Sequence, residues 1–383
     1  MSSKLFRAVN GALFAAILLL CAAHPAVAIP IFAQRYGLSC KDCHTVFPEL
    51  NAFGTAFRNR GYRFPEGVPR HGTTVAAIRY NMVYARDPVP GTRRFTPSAS
   101  ILADQDFGAI NAFLHYNLGA GGGPSQPFLG FLSYYGARIG TLFRAGLYEL
   151  PLKHSPEQRI DDVSPYGYES LTVGQNDLAL NAPRLGLETE HLFGATRVAT
   201  SLAFGEFKGA AYGGAPIDDG THTVAAGPEF GLFARGPLRR GLDLGAEYLA
   251  GTRSIALPGH APAKDPYQRL GFGLDAVFFR KRSLDLELQQ WIGYDANADA
   301  RGDGIGSSGG YALLKYFVTP HLYLGARYDT QAAPIAARDA VLYVGTFLTP
   351  HVHLVMERRN DLVRGTPTLE GEVIIGAPWP AHL

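Results

Sequence analysis

The sequence predicts an all-β fold: about 16 antiparallel strands closed into a barrel of the outer-membrane kind, behind a small N-terminal helical segment. Three observations predict it. First, period-2 alternation recurs along residues 73–383. Leu242, Leu244, Ala246, Tyr248 and Ala250 alternate with Asp243, Gly245, Glu247 and Leu249, and Leu322, Leu324, Ala326 and Tyr328 with Tyr323, Gly325, Arg327 and Asp329. One face is apolar and the other carries charge. Second, the links between strands alternate in length. Short ones fall near 137–138, 193–194, 237–239, 281–282, 319–320 and 349–350. Gly/Asp/Pro-rich longer ones fall at 119–125, 151–181, 208–222, 253–267, 296–307, 331–337 and 361–367. A soluble sandwich also alternates, but outer-membrane barrels add this asymmetry, with tight periplasmic turns and long outer loops. Third, the chain is rich in Gly (45), Tyr (19) and Phe (23), and past the first 28 residues no run of about 18 apolar residues could form a spanning helix.

The elements follow in order. Lys4 and Arg7, the apolar run 11–23 and Ala26-Val27-Ala28 read as a secretory signal peptide over residues 1–28. Cys21 lies inside that run, after Leu20 rather than the small residue a lipoprotein site needs. Residues 29–72 form a separate segment. The strands are expected at 73–86, 95–105, 108–118, 126–136, 139–150, 183–193, 195–207, 223–236, 240–252, 268–280, 283–295, 308–318, 320–330, 338–348, 350–360 and 368–377. This assignment keeps 168–180 inside one long loop, because a strand there would move loop 208–222 to the wrong side. The even number leaves both barrel ends in the periplasm, although the chain closes on Pro380-Ala381-His382-Leu383 rather than on an aromatic residue.

The N-terminal segment carries Cys40-Lys41-Asp42-Cys43-His44, a C-x-x-C-H. Two thiols at this spacing can each add across a vinyl group of one haem, and the following His44 is placed to ligate its iron. A disulfide or half a zinc site are the other readings. A zinc site needs four ligands, and no second Cys or His pair follows. One covalent haem c is the expected cofactor. A segment of this size lacks the core to bury a haem by itself, so it must lean on the barrel interior. For a sixth iron ligand His71, just before the first strand, is the first candidate. Met82 and Met356 have outward parity, His115 and His353 share parity with polar neighbours, and having no sixth protein ligand stays open.

Removing residues 1–28 takes Lys4 and Arg7 and no carboxylate from 35 cationic and 33 acidic residues, so the formal charge falls to zero. That argues against a nucleic-acid partner. No Ser-His-Asp order, Walker sequence or dinucleotide fingerprint is present. Arg79, Asp243, Glu247, Asp285, Glu287, Arg327, Glu357, Arg359, Glu370 and Glu372 have lumen parity, as expected of a polar barrel interior. The loop carboxylates Asp161, Asp162, Asp218, Asp219, Asp295, Asp299 and Asp303 are hard oxygen donors that could meet ferrous iron in passing.

The stretch Pro30-x-Phe32-Ala33-x3-Gly37-x2-Cys40-x2-Cys43-His44-x2-Phe47-Pro48-x-Leu50-Asn51-x-Phe53-Gly54-x2-Phe57-x3-Gly61-Tyr62 resembles the fused outer-membrane monohaem cytochrome c–porins of iron-oxidising bacteria. The resemblance rests on motif in this segment and on architecture elsewhere. It implies that Cys40 and Cys43 hold the haem, that His44 ligates its iron, and that Pro48, Leu50, Asn51, Phe53, Gly54, Phe57 and Tyr62 pack around it. It further implies domains at 29–72 (a haem segment plugging the barrel) and 73–383 (a porin-like barrel in the bacterial outer membrane). The implied function is one-electron transfer from an extracellular donor such as Fe(II) to a periplasmic c-type cytochrome. The alternatives are a haem-bearing diffusion porin and a soluble periplasmic β-protein with a cytochrome appendage.

Overall fold

The computed structural model describes residues 30–38, 40–46, 49–64, 74–86, 93–120, 126–154, 162–169, 173–176, 178–206, 223–257, 260–278, 284–332, 336–349 and 352–378. The assigned signal peptide, Pro48, His71, Asp161, Asp218 and Asp219 lie outside them.

The N-terminal segment holds α1 (Pro30–Tyr36), α2 (Cys40–Cys43), the small paired strands β1 (His44–Val46) and β2 (Glu49–Leu50), and α3 (Ala52–Asn59). Then come β3 (Thr74–Arg86), β4 (Arg93–Phe107), β5 (Ile110–Ala120), β6 (Gln126–Gly136), β7 (Thr141–Tyr148), β8 (Arg184–Phe193), β9 (Thr196–Glu206) and β10 (Thr223–Arg239). The second half is β11 (Leu242–Ala256), β12 (Ala263–Phe278), β13 (Leu284–Asp295), β14 (Ile305–Thr319), β15 (Leu322–Ala332), β16 (Ala337–Thr349), β17 (Val352–Asp361) and β18 (Thr366–Pro378). Each of these strands pairs antiparallel with its sequence neighbours. β18 closes onto β3, from Leu369 opposite Arg86 to Pro378 opposite Ala77.

The closed sixteen-strand barrel is therefore the predicted one. Closure leaves no unpaired sheet edge, the condition for a β-structure to cross lipid. Outward residues such as Leu132, Phe204, Phe272, Ile292, Leu342 and Met356 are exposed and apolar, which is the face a bilayer covers. These features place the barrel in the bacterial outer membrane. Links of two to five residues join β4–β5, β6–β7, β8–β9, β10–β11, β12–β13, β14–β15 and β16–β17, and the start of β3 lies at the same end. In the two-residue turn between β8 and β9, Gly194 sits at φ 66°, a region a side chain disfavours.

The interior buries the expected lumen charges Arg79, Glu247, Asp285, Glu287, Arg327 and Glu357, and adds an apolar cluster to them. Leu249, Trp291, Tyr311, Leu313, Phe317, Tyr323, Val341, Tyr343, Phe347 and Val355 lie inward, all buried, from β11 to β17. They are dry because the segment 149–183, between β7 and β8, folds into the lumen. Its Leu150, Leu152, Tyr166, Tyr168, Leu178 and Leu180 complete the same apolar cluster. In a ring of sixteen strands, β15 and β16 lie directly across from β7 and β8. Segment 149–183 reaches β15 and β17, so it crosses the lumen to the far wall.

Candidate functional site

The C-x-x-C-H turn is sewn to α3 by one side chain. Asn51 caps α3, its Oδ1 accepting from the Gly54 N–H at 2.8 Å. Its Nδ2 donates to the Asp42 carbonyl at 3.0 Å, and its own N–H donates to the Cys43 carbonyl at 2.9 Å. His44 is half-buried and pairs in register with Leu50 across β1 and β2. Gly54 is buried against this turn. A Cβ there would run into the Cys43 carbonyl and come within 2.9 Å of Leu50 Cδ2. Only glycine lets α3 lie that close to the second cysteine. Cys40 opens α2.

An aromatic group packs beside the turn. Phe32 stacks on Tyr62 at 4.1 Å between ring centroids, and Phe57 meets Tyr36 at 5.6 Å, Tyr62 at 5.8 Å and Phe64 at 5.0 Å. Phe53 lies 6.4 Å from Phe57, one helical turn away, and is 41% exposed. Such aromatic pairs contribute about 0.5–1.5 kcal/mol each beyond area burial. Of the residues the resemblance implies for haem packing, Leu50, Asn51 and Gly54 lie against the Cys43–His44 turn, while Phe53, Phe57 and Tyr62 share one aromatic group on and next to α3. Tyr36 and Phe64 complete the aromatic group, with no local sequence pattern to mark them.

This assembly leans on the barrel's inner wall at the tight-turn end. Ile31, Val75, Ala77 and Leu102 form a buried cluster with Phe32 and Phe113 against it. Arg35, one turn after Ile31 on the same helical face, is buried in an ion pair with Asp104 and donates from Nη2 to the Asp104 carbonyl at 3.0 Å. Arg63 donates from Nη1 to the carbonyls of Gly108 (2.8 Å) and Ala109 (2.9 Å) and pairs with Asp106 at 3.3 Å. On the other side, a Cβ at Gly61 would stand 2.7 Å from Leu142 of β7. Burial, and then the charge of Arg197 on β9, pushes the Arg58 guanidinium below its ordinary pKa. The segment therefore sits along one side of the barrel floor, against the wall from β3–β5 to β7–β9. The sequence predicts only that it must lean on the barrel. The i, i+4 pair Ile31/Arg35, apolar then cationic, is the signal that names the docking face.

Segment 149–183 is fixed by buried charge. Arg327 of β15 pairs with Asp162 and, at 2.8 Å, with Asp329. It donates to Ser164 (carbonyl 3.1 Å, Oγ 2.9 Å) and the Pro165 carbonyl (3.2 Å), and lies 4.0 Å over the Tyr166 ring. Glu357 of β17 accepts from the N–H groups of Val163 and Ser164 at 3.0 and 3.2 Å. Asn176 donates to Asp265 (2.8 Å) and Asp295 (2.7 Å), and His154 pairs with Glu287.

These contacts correct the reading of the loop carboxylates. Asp162 and Asp295 are not outward donors for passing iron. Both are buried: segment 149–183 carries Asp162 inward to Arg327, and Asp295, the last residue of β13, is held by Arg269 and by Asn176 of that segment. Among the described residues no group of three or more His, Cys, Asp or Glu converges as a metal site. His115 and His353 do face the lumen. His115 lies 3.4 Å from Arg79 Nη2, and His353 is 2.7 Å from the Tyr323 hydroxyl and stacked on Phe347 at 4.1 Å.

Solved structures share this architecture. The chain superposes on an anion-selective porin from Comamonas acidovorans (TM-score 0.53, 13% identity, covering 80% of this chain and 99% of that one). The fold is that of the outer-membrane porins. Salmonella typhi OmpF, solved with daunomycin, gives TM-score 0.54 at 8% identity over 79% of this chain and 97% of its own. The outer-membrane channel DcaP of Acinetobacter baumannii gives 0.51 at 12% over 80% and 96%. At these identities the likeness is one of fold. No family model and no curated protein matches the chain.

Proposed function

We propose that this barrel is an outer-membrane electron conduit bearing one covalent haem c in its N-terminal segment. One observation carries the reading. The C-x-x-C-H turn stands at the tight-turn mouth, in a segment seated on the inner wall of β3–β9, while segment 149–183 crosses the lumen above it. A lumen crossed by one segment, with a second seated at its mouth, suits electrons better than solutes.

The residues fit the group. Cys40 and Cys43 supply two thiols on one helical turn, and His44 supplies the adjoining imidazole. Phe53 and Phe57 offer ring faces on α3, and Gly54 lets that helix lie against the Cys43 carbonyl. Arg58, on the same face of α3 as Gly54, brings a cation of the kind that pairs with propionates. A haem c supplies a one-electron couple when bound. The net reaction is one electron lost by Fe(II) outside and one gained by a c-type cytochrome inside. Keeping the donor outside also keeps insoluble ferric product out of the periplasm.

The fold likeness favours a second reading, a haem-bearing diffusion porin. Two measurements on the purified full chain separate them. Peroxidase staining of a denaturing gel, with a haemochrome spectrum, is expected to report one covalent haem per chain. Fe(II) added outside proteoliposomes is expected to reduce it. A negative stain removes both readings. Stained protein that Fe(II) leaves oxidised, with steady solute flux through the lumen, leaves the diffusion porin.

A further inference from the structure

A row of cations lines the foot of the lumen. Arg144 of β7 pairs with Glu188 and lies 3.9 Å from an oxygen of Glu190, both on β8, and Arg197 of β9 pairs with that same Glu190 oxygen at 2.6 Å. Arg197 stands directly opposite Arg235 of β10 in the strand register. Arg235 pairs with Asp275 of β12 and lies 3.4 Å from Glu247 of β11, and Lys153 reaches the same Asp275 oxygen at 3.6 Å. Four cations, three on the wall and one on segment 149–183, thus follow one another and share the carboxylates between them.

Exposure gives the row its sign. The side chains of Arg144, Arg197, Arg235 and Lys153 keep 14, 17, 20 and 26% of their surface, whereas Glu188 and Glu190 keep 1%, Glu247 3% and Asp275 10%. The carboxylates are covered and the water-facing ends are cationic. Ion pairs elsewhere in the lumen, Arg184 with Glu229, Arg269 with Asp295 and Arg327 with Asp162, are sealed on both sides. Asp243, half-buried opposite Asp275, bounds the row toward the turns. Like charges directly opposite on adjacent strands repel, so the Arg197/Arg235 pair breaks a local rule of sheet pairing. Such a break is expected where a ligand collects the gain.

The row begins beside the C-x-x-C-H segment. Arg144 is two residues along β7 from Leu142, against which Gly61 rests, and the charge of Arg197 acts on Arg58 of α3. We propose that this row is a binding seat for a small polyanion, and that the extracellular donor meets the haem segment there as an anionic iron chelate rather than as the hydrated cation. The second clause rests on the conduit reading; the seat itself does not. Partly exposed cations inside a low-dielectric wall attract anions and repel cations. Carboxylate chelation turns Fe(II) from a dication into an anion. One electron leaves the chelated Fe(II), which becomes chelated Fe(III), and enters the haem.

The test titrates the full chain, in zwitterionic detergent, with hexacyanocobaltate(III), a trianion, and with hexaamminecobalt(III), a trication of similar size. Calorimetric binding needs no electron transfer, so it is independent of the haem stain that tests the conduit. At low salt the trianion should bind about tenfold more tightly than the trication, and the preference should shrink as salt rises. K153Q and R235Q should each lower trianion affinity about threefold or more, and R235K should keep it. R138Q, on an exposed turn, should leave it unchanged. Retained heat-modifiable gel mobility certifies folding, and K153Q, the most exposed of the four positions, decides the outcome if R235Q does not fold. Haem reduction is then timed in the native chain and in K153Q, with Fe(II) alone and with Fe(II) in excess citrate. Comparing each donor across the two chains cancels the difference in driving force. K153Q should slow the citrate chelate and not the hydrated ion. Equal binding of the two cobalt complexes, or an affinity that falls as far in R138Q as in K153Q, overturns the seat. Slowing of both donors alike, or of neither, overturns the chelated donor. A chain with no haem to reduce removes the conduit, and the cobalt titration still decides the seat.

Discussion

Replacing Arg327 with glutamine should release segment 149–183 from the far wall while leaving the barrel standing. Arg327 is fully buried and holds Asp162 and Asp329 together with the Ser164 and Pro165 carbonyls. Glutamine keeps some volume and hydrogen bonding but leaves two buried carboxylates without their cation. Breaking a buried ion pair by removing one partner costs about 3–5 kcal/mol. At about 1.4 kcal/mol per tenfold, the docked-to-released equilibrium moves by two to four orders of magnitude. Asp329 lies in β15 itself, so part of this cost falls on the wall, but the backbone hydrogen bonds of the ladder stay in place. The assay is conductance of the purified protein in planar bilayers, with heat-modifiable gel mobility as the fold control. The native chain should conduct poorly, and R327Q should open larger, noisier channels and become sensitive to protease within 149–183. A folded R327Q whose conductance and cleavage match the native chain would refute the claim that this segment obstructs the lumen.

Other substitutions probe the N-terminal segment. G54V should push α3 off the Cys43 carbonyl and sharply reduce haem-stained protein while the barrel still folds, read as stain per unit of folded protein. Asn51→Ala removes the cap of α3 and the bond to Asp42, a loss of about 1 kcal/mol for the cap alone; its haem spectrum should broaden on warming before that of the native protein. Ile31→Ala should cost about 2–4 kcal/mol of docking on the inner wall, seen as faster proteolysis before residue 74. C40S/C43S should abolish the stain and leave barrel mobility unchanged.

The strands were legible because each wall residue meets one of two environments, and a two-residue period records that directly. β13, expected at 283–295, spans Leu284–Asp295. The mismatch is largest where a strand outruns the bilayer. β12 begins at Ala263, five residues before the expected start, and that extension contains Lys264, Asp265 and Pro266. Above the lipid both faces can be polar, so the ladder continues with no alternation to announce it. The expected connection at 151–181 is one connection in the structure, between Tyr148 and Arg184, but strand parity carries no sign of its inward course. The available signal was composition, since Tyr166, Tyr168, Leu178 and Leu180 are too apolar for a solvated outer loop. For the N-terminal site, the motif gave Cys40, Cys43 and His44 by spacing alone. Tyr36 and Phe64 join through tertiary packing that no local pattern encodes.

A hollow cylinder of sheet is easily flattened, because bending about the strand axes breaks no hydrogen bond. Segment 149–183 acts as a tie rod. Anchored at both ends of β7–β8 and clamped to β15 and β17, it resists ovalisation along one diameter. The cross-section at that height, and with it the seat of whatever rests on the floor below, keeps its shape as lateral pressure in the bilayer changes.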